Sequence, residues 1–282
     1  VMQICKTFSE IRASVGDWRR QGQTVVFVPT LGNLHEGHLQ LVRLAATQGD
    51  KVVVSIFVNP LQFGKNEDYA LYPRTLDADV EKLRGAGADA LFCPSDREVY
   101  PNGVEEQTTV AVPTMTNILC GATRPGHFTG VTTIVSKLFN IVQPHKAVFG
   151  IKDFQQLAVV KRMVEDLCFP IEIIEAPVAR AEDGLALSSR NGYLNAHERA
   201  IAPALHRALV QTREAIAAGE RNYALLEARA HISLLEAGMR PDYFSVRAAK
   251  TLEPAGPGDH ELAILAAAYL GTGARVWIID VG

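Results

Sequence analysis

The fold of this chain of 282 residues is decided by the stretch Thr24-Val25-Val26-Phe27-Val28-Pro29-Thr30-Leu31-Gly32-Asn33-Leu34-His35-Glu36-Gly37-His38. The stretch begins with an apolar run at 24–28, continues with Pro and Gly, and leads into a helical pattern at 37–48. A second apolar run, 51–58, follows. Apolar runs without polar alternation are typical of parallel strands that helices cover on both faces. The stretch therefore predicts a strand, a helix and a parallel strand.

The same alternation continues to about residue 176. Further helices are predicted at 76–85, 131–142 and 154–167, and further strands at 90–93, 146–149 and 171–175. Such an order predicts an α/β fold with a Rossmann-like, doubly wound parallel sheet. We assign residues 1–176 to this domain.

The character of the sequence changes after residue 176. Ala-rich helices are predicted at 196–218 and 223–237, and strands at 243–247, 262–269 and 276–280. Residues 177–282 are therefore predicted to form a smaller α+β C-terminal domain that closes over the active site. Pro177 and Gly184 mark the segment 176–191 as the hinge.

The overall composition is that of an ordinary globular protein. A formal net charge of -3 argues against a nucleic-acid surface, because phosphate backbones are bound by clustered Lys and Arg. The four cysteines form no CxxC pair and are predicted to be buried free thiols. We find no apolar run of membrane-spanning length and no leader pattern, which predicts a cytoplasmic protein without a membrane partner.

The strongest functional motif is HxGH at the start of the first predicted helix. His35 and His38 share one face of the helix, and Gly37 allows a nucleotide to approach the backbone. Two imidazoles at a helix N-terminus can donate hydrogen bonds to a triphosphate and stabilise the charge on departing pyrophosphate. The alternative is that one histidine caps the helix while the other packs against the sheet. The absence of GxGxxG from this turn argues against an NAD enzyme.

A second motif lies in the predicted hinge. Ser188, Ser189 and Arg190 can hold phosphate oxygens, and their loop position allows closure over ATP. An ordinary hydrophilic loop is the alternative.

Polar residues also follow other predicted strands. Lys152 can neutralise phosphate, Asp153 can cap a helix, and Gln156 can face the cleft. Asn59 and Gln62 can bind the hydroxyl and carboxylate groups of a polyol acid, although Asn-Pro also explains a simple turn.

Three further residues are candidates for ligand contacts. Asp79 either favours the dipole of its helix or helps to bind magnesium. Arg124 and His127 lie in a turn-rich segment, where they either reach phosphate or carboxylate or belong to a solvated loop.

Six motifs together resemble the pantothenate synthetase (pantoate–β-alanine ligase) family, within the HxGH nucleotidylyl transferase superfamily. They are PTxGxLHxGH, VNPxQF, YPRT, RPGHFxGV, FGxKDxQQ and GLAxSSRNxYL, in this order between residues 29 and 194. The resemblance implies that pantoate attacks the α-phosphate of ATP to give pantoyl adenylate and pyrophosphate. β-Alanine then attacks the adenylate to give pantothenate and AMP.

The resemblance also implies roles for individual residues. His35 and His38 hold the triphosphate, and His38 is the proton donor to the leaving group. The ATP site is further implied to include Leu31, Gly32, Asn33, Leu34, Glu36, Gly37, Gly150, Ile151, Lys152, Asp153, Ala179, Leu187, Ser188, Ser189 and Arg190. The substrate contacts are implied to be Asn59, Gln62, Gln156, Arg124 and His127. Mg²⁺ is expected mainly on phosphates and water, with Asp79 as the candidate protein ligand. The family also implies a homodimer.

Two positions depart from the family pattern. Leu31 replaces a usual Met, a swap of similar volume. Ile151 replaces a common Glu between Gly150 and Lys152, which changes the local charge. The competing hypotheses are another HxGH nucleotidylyl transferase, an aminoacyl-tRNA synthetase fragment, and a noncatalytic nucleotide sensor.

Overall fold

We describe the fold from a computed structural model covering residues 1–271 and 276–282, with only the backbone over 276–279. The strands are β1 (Gln3–Cys5), β2 (Val25–Thr30), β3 (Lys51–Ile56), β4 (Ala90–Phe92), β5 (Lys146–Gly150), β6 (Glu172–Ala176), β7 (Arg240–Ala248), β8 (Leu262–Leu270) and β9 (Val276–Val281). The α-helices are α1 (Phe8–Arg20), α2 (Glu36–Gln48), α3 (Leu76–Ala86), α4 (Asp96–Val99), α5 (Cys120–Thr123), α6 (His127–Val142), α7 (Phe154–Asp166), α8 (Ala196–Ile201), α9 (Ala204–Ala217) and α10 (Tyr223–Ala237). Short 3₁₀ helices occupy Pro60–Gln62, Ile151–Asp153 and Ser189–Tyr193.

The chain divides into two compact units. The first contains residues 1–150 and 159–176, and the second contains residues 151–158 and 177–282. The boundary near 176 coincides with the predicted one, while 151–158 groups with the second unit. Helix α7 thus contains residues of both units.

The first unit is built on a six-stranded sheet in the order β1-β4-β3-β2-β5-β6. Every paired strand in it is parallel, which confirms the predicted Rossmann-like fold. Strand β1 and helix α1 were not predicted, since three residues are too short to give a strand pattern.

Apolar layers cover both faces of this sheet. On one face, Val52 and Val54 belong to a buried cluster that includes Val42 of α2 and Leu83 of α3. On the other, the ring of Phe139 in α6 lies 6.4 Å from that of Phe27 in an edge-on arrangement. Burial on both faces explains why β2 and β3 carry apolar runs without alternation.

The second unit contains the antiparallel sheet β7-β8-β9 with α9 and α10 packed on it. Its core includes Leu205, Leu209, Leu234 and Ala266. The predicted single helix 196–218 is wrong: α8 ends at Ile201 and α9 begins at Ala204, with Pro203 between them. Proline lacks the N–H that a continuous helix needs, so it favours a break.

The thiols differ in their surroundings. Cys5 and Cys120 are buried, Cys93 is half-buried, and Cys168 is exposed. The prediction of buried thiols is therefore wrong for Cys168, which follows α7 with a φ of 57°. In the part of the chain that the structure describes, no helix is long and apolar enough to cross a membrane.

Candidate active site

The HxGH turn joins the end of β2 to the start of α2. Gly32 and Asn33 both have left-handed backbones, with φ of 81° and 50°. A Cβ at Gly32 would lie 2.8 Å from Cγ2 of Ile56, so both the backbone conformation and the available space require glycine. The turn thus brings the chain back sharply across the carboxyl end of the sheet.

Asp79 of α3 anchors this turn. Its carboxylate accepts hydrogen bonds from the backbone N–H groups of Asn33 and Leu34, both at 2.9 Å, and from Oγ1 of Thr75 at 3.1 Å. Asp79 is only 1% exposed, and the described residues contain no group of three or more metal-ligating side chains. These contacts give Asp79 an anchoring role in the turn.

Leu34 belongs to the same turn and is held firmly by the protein. Its side chain is buried in the core, its N–H donates to Asp79, and its carbonyl accepts from Nζ of Lys82 at 2.8 Å. The predicted ATP contact of Leu34 stays a prediction.

The two histidines of the motif lie against each other, with ring centroids 4.0 Å apart. Nδ1 of His35 accepts from the N–H of Gly37 at 3.0 Å, and Nδ1 of His38 accepts from the N–H of His35 at 3.1 Å. In a neutral imidazole an accepting Nδ1 places the proton on Nε2. Both rings therefore have Nε2 as their hydrogen-bond donor. One half of the alternative prediction, that one histidine caps the helix, is confirmed, because His35 is the N-cap of α2.

A cleft of about 210 Å³ lies beside the turn, in the first unit. It is lined by Leu31, Gly32, Asn33, Ile56, Phe57, Val58, Arg74, Thr75, Leu76, Asp79, Cys93, Pro94 and Asp96. The cleft follows the carboxyl ends of β2, β3 and β4, where ligands bind in open α/β sheets. Leu31, which replaces the usual Met, contributes to its wall.

Asn59 and Gln62 lie close together. Nδ2 of Asn59 donates to Oε1 of Gln62 and to the carbonyl of Gly130, both at 3.1 Å. Oδ1 of Asn59 accepts from the hydroxyl of Tyr100 at 2.5 Å, and burial raises the pKa of that phenol. The fully buried Asn59 is thus held by protein contacts, one of which orients the side chain of Gln62. With Oε1 occupied, Gln62 has its amide N–H groups as donors.

Arg124 and His127 form a chain of contacts that ends on Gln62. Arg124 makes two hydrogen bonds to the Glu67 carboxylate, at 2.5 and 2.6 Å. Nδ1 of His127 donates to the Gln62 carbonyl at 2.9 Å, so Nε2 accepts from Arg124 at 3.3 Å. Burial alone would raise the pKa of Glu67, but the bonded Arg124 outweighs it and holds that pKa below its usual value. The two residues predicted as substrate contacts therefore position Gln62.

Gly130 permits the close packing behind this pocket. A Cβ there would lie 2.4 Å from the carbonyl oxygen of Leu61. Since real Cβ atoms do not approach so closely, only glycine lets α6 meet the 3₁₀ helix Pro60–Gln62. The sequence shows Gly130 within a motif but predicts no role for it, and Tyr100 and Glu67 were missed because no local pattern surrounds them.

The predicted residues after β5 begin the second unit. Gly150 ends β5, and Ile151, Lys152 and Asp153 form a 3₁₀ helix directly after it. Nζ of Lys152 lies 3.6 Å from Oδ1 of Asp153. Gln156 is half-buried on the first turn of α7.

Residues 179–187 form a tight hairpin that leads into the predicted phosphate-binding loop. The N–H of Ala181 donates to the carbonyl of Leu185 at 2.8 Å, and the N–H of Leu187 donates to the carbonyl of Ala179 at 2.9 Å. Leu185 is buried, which fixes the hairpin to the core of the second unit. Ser188 follows and caps the 3₁₀ helix by accepting from the N–H of Arg190 at 3.3 Å. This turn thus holds Ser188, Ser189 and Arg190 next to one another.

Comparisons with known proteins agree with this arrangement. A sequence model described as Pantoate-beta-alanine ligase matches residues 3–281. A pantothenate synthetase from Pseudomonas putida (strain W619) is 57% identical over 270 residues, covering 96% of this chain and 94% of the relative. One from Saccharophagus degradans is 54% identical over 268 residues, covering 95% and 94%.

Solved structures give the same result. Pantothenate synthetase from Thermus thermophilus is similar with a TM-score of 0.89 and 43% identity, over 100% of this chain and 99% of that one. Pantoate-beta-alanine ligase from Francisella tularensis, solved in complex with beta-gamma ATP and beta-alanine, has a TM-score of 0.80 and 32% identity, over 100% and 97%. The chain therefore belongs to the pantoate-beta-alanine ligase family and is a pantothenate synthetase enzyme.

Proposed function

We propose that this ligase works through a pantoyl adenylate, with the histidine pair as its main electrostatic device. A carboxylate oxygen of pantoate attacks the α-phosphorus of ATP, and the bond to the β-phosphate oxygen breaks to release pyrophosphate. The amine of β-alanine then attacks the acyl carbon, and AMP leaves. No covalent bond to the protein is formed.

The observation that carries this proposal is the pairing of His35 and His38. Because both Nδ1 atoms accept backbone N–H bonds, each neutral ring has its donor at Nε2. Two preorganised donors stabilise the negative charge that grows on the departing pyrophosphate, and His38 is the proton donor to it. Positioning and charge stabilisation then account for catalysis.

We assign the remaining ATP contacts from the polar and charged side chains near the motifs and from the backbone that a nucleotide can approach. We assign phosphate contacts to Lys152, Ser188, Ser189 and Arg190, whose hydroxyl and cationic groups suit phosphate oxygens. We assign the nucleotide contacts to Leu31, Gly32, Asn33, Glu36, Gly37, Gly150, Ile151, Asp153, Ala179 and Leu187. The Francisella relative, solved with an ATP compound, supports ATP as the nucleotide.

Pantoate is assigned to the amides of Gln62 and Gln156. An amide N–H donates to a hydroxyl or a carboxylate without adding charge, and contacts from Asn59 and His127 orient Gln62. β-Alanine binds near Gln62 in this proposal. The complex of the Francisella relative with beta-alanine supports an amino-acid substrate.

Magnesium is proposed to enter on the phosphates of ATP. The donor set around Asp79 does not fit a protein-built magnesium site, because that buried carboxylate already accepts from Asn33, Leu34 and Thr75. We derive no catalytic step through the ion. A homodimer and a cytoplasmic location also remain proposals, and the mass of the protein in solution would test the first.

One experiment tests the chemistry directly. The protein is incubated with ATP and pantoate without β-alanine, and the products are analysed by mass spectrometry. Pantoyl adenylate and pyrophosphate are the expected products, and added β-alanine should convert the adenylate to pantothenate and AMP. Pyrophosphate release that ignores pantoate, or ATP binding without any pyrophosphate, would contradict the proposal.

A further inference from the structure

The hairpin 179–187 is tied to the C-terminal strand of its unit by the side chain of Arg180. The guanidinium makes two hydrogen bonds to the carboxylate of Asp280 in β9, at 2.6 and 2.9 Å. It also donates to the carbonyl of Gly184 at 3.1 Å and to that of Val281 at 3.2 Å. One side chain thus connects the first strand of the hairpin, its turn and the end of the sheet.

Asp280 is a fixed point for this contact. It is only 3% exposed, and it lies opposite Ala266, a core residue of the central strand β8. Burial of a carboxylate costs free energy unless the group is paired and hydrogen-bonded. Asp280 therefore stabilises the guanidinium of Arg180 in its observed position. The planar fork of arginine also fixes direction, which the single ammonium of lysine does not.

A second contact holds the turn of the hairpin. Gly184 has a φ of 95°, and a Cβ there would lie 2.4 Å from Cδ2 of His206 in α9. The turn therefore packs directly on the imidazole ring. Arg180 and His206 hold the hairpin from two directions, and its last residue, Leu187, immediately precedes Ser188.

We propose that Arg180 and Asp280 are positioning residues for the phosphate-binding turn Ser188–Arg190. The N–H of Leu187 donates to the carbonyl of Ala179, the residue before Arg180. Because Leu187 directly precedes Ser188, a shift of Arg180 should also shift Ser188. A change in the guanidinium fork should displace the turn and leave the rest of the unit folded. This inference rests on the proposed role of Ser188, Ser189 and Arg190 in binding ATP.

The first test replaces Arg180 with lysine. Arg180→Lys keeps a positive charge beside Asp280, whereas Arg180→Ala would leave a buried unpaired carboxylate and risk unfolding. The matched control is Arg199→Lys, because Arg199 forms an equally direct but exposed two-bonded pair with Asp183 of the same hairpin. We expect kcat/KM for ATP to fall by about 10- to 100-fold in Arg180→Lys, because small displacements of binding groups cost about this much. The control should stay within about twofold.

A double variant separates positioning from general damage. If Arg180 acts through the turn, its replacement should matter little once Arg190 is already truncated. We therefore expect Arg180→Lys to lower kcat/KM for ATP by less than about twofold in an Arg190→Ala background. The proposal would be overturned if Arg180→Lys lowered kcat/KM for ATP by the same factor with and without Arg190→Ala. Equal losses of kcat/KM in Arg180→Lys and Arg199→Lys would also overturn it.

A third measurement does not depend on catalysis. Trypsin cleavage after Arg190, followed by mass spectrometry, reports how often the turn opens locally. We expect cleavage about tenfold faster in Arg180→Lys than in Arg199→Lys, with the same thermal midpoint in both. Equal cleavage rates would overturn the inference. Faster cleavage in a protein that makes no pantoyl adenylate would leave the positioning role intact and reject the proposed function.

Discussion

Two buried carboxylates, Asp79 and Asp280, hold the two motifs to which we assign phosphate contacts, and they do so by different means. Asp79 accepts from two backbone N–H groups of the HxGH turn. Asp280 accepts from a guanidinium, which in turn holds the hairpin before Ser188. Each unit thus has one acidic anchor, with neutral partners in the first and a cationic partner in the second.

The difference has consequences for how each motif tolerates change. Every residue except proline has a backbone N–H, so the anchor uses no side-chain atom of Asn33 or Leu34, whereas it depends on the side chain of Asp79. In the second unit the anchor joins two side chains, so substitution of either Arg180 or Asp280 disrupts it. Removal of either partner of a buried charged pair is costly, because it leaves the other charge unpaired.

The largest effect is expected from the chemistry that the first anchor supports. His38→Ala should lower kcat for adenylation by about 100- to 1000-fold, the usual loss when one preorganised donor is removed. The fold should persist, because His38 is only half-buried at the start of α2. Pyrophosphate release measures the rate, and His231→Ala on an exposed part of α10 is the control. Near-normal turnover would remove His38 from the mechanism.

The next effect concerns the anchor itself. Asp79→Asn turns one acceptor into a donor that faces a backbone N–H, and it should lower the free energy of unfolding by about 1–3 kcal/mol. Asp77→Asn, on the exposed side of the same first helical turn, should change it by less than about 0.5 kcal/mol. Urea unfolding of both variants gives the values. Equal effects would mean that Asp79 acts only on the dipole of α3.

A glycine pair tests the packing behind Gln62. Gly130→Ala places a Cβ against the Leu61 carbonyl, so it should lower stability by about 1–3 kcal/mol and raise KM for pantoate. Gly85→Ala on the exposed surface of α3 meets no atom within 4 Å and should raise stability by about 0.5–1 kcal/mol. Thermal unfolding and pantoate titration measure both. An unchanged KM in Gly130→Ala would show that Gln62 tolerates the displacement.

The smallest expected effect is on the pH dependence of stability, to which one histidine in each unit contributes. Burial lowers the pKa of His145 in the first unit and of His206 in the second below the usual value of 6.5. The unfolded chain then takes up the proton first as pH falls, so stability is present above about pH 6.5 and is lost below it. Nδ1 of His145 accepts from the N–H of Val25 at 2.9 Å, a bond that protonation breaks.

His145→Asn, which retains an acceptor without titrating, should therefore flatten the fall in stability between about pH 7.5 and pH 5. The exposed His197→Asn should leave that fall unchanged. Urea unfolding across this range measures it, and parallel curves for His145→Asn and the unmodified protein would contradict the assignment.

The sequence predicted what depends on neighbouring residues. The strand, turn and helix around HxGH are local. The anchors depend on distant contacts: Asp79 lies 45 residues from Leu34, and Asp280 lies 100 residues from Arg180. An acidic residue in a first helical turn is common, so nothing local distinguishes Asp79 from Asp77.

What the sequence missed has equally physical causes. Arg124 and His127 have protein partners, the Glu67 carboxylate and the Gln62 carbonyl, that the sequence cannot show. The predicted helix 196–218 failed at Pro203 because the Ala-rich pattern continues on both sides of the break. The C-terminal strand was predicted without a role. Its proposed role depends on the Asp280 carboxylate, which accepts from Arg180 in a hairpin that is distant in sequence.

The exposed thiol of Cys168 makes this enzyme convenient for spectroscopy. Cys5 and Cys120 are buried and Cys93 is half-buried, so a maleimide dye should react first at Cys168. The residue lies just after α7, the helix that contains parts of both units. Attachment at this natural residue needs no engineered cysteine.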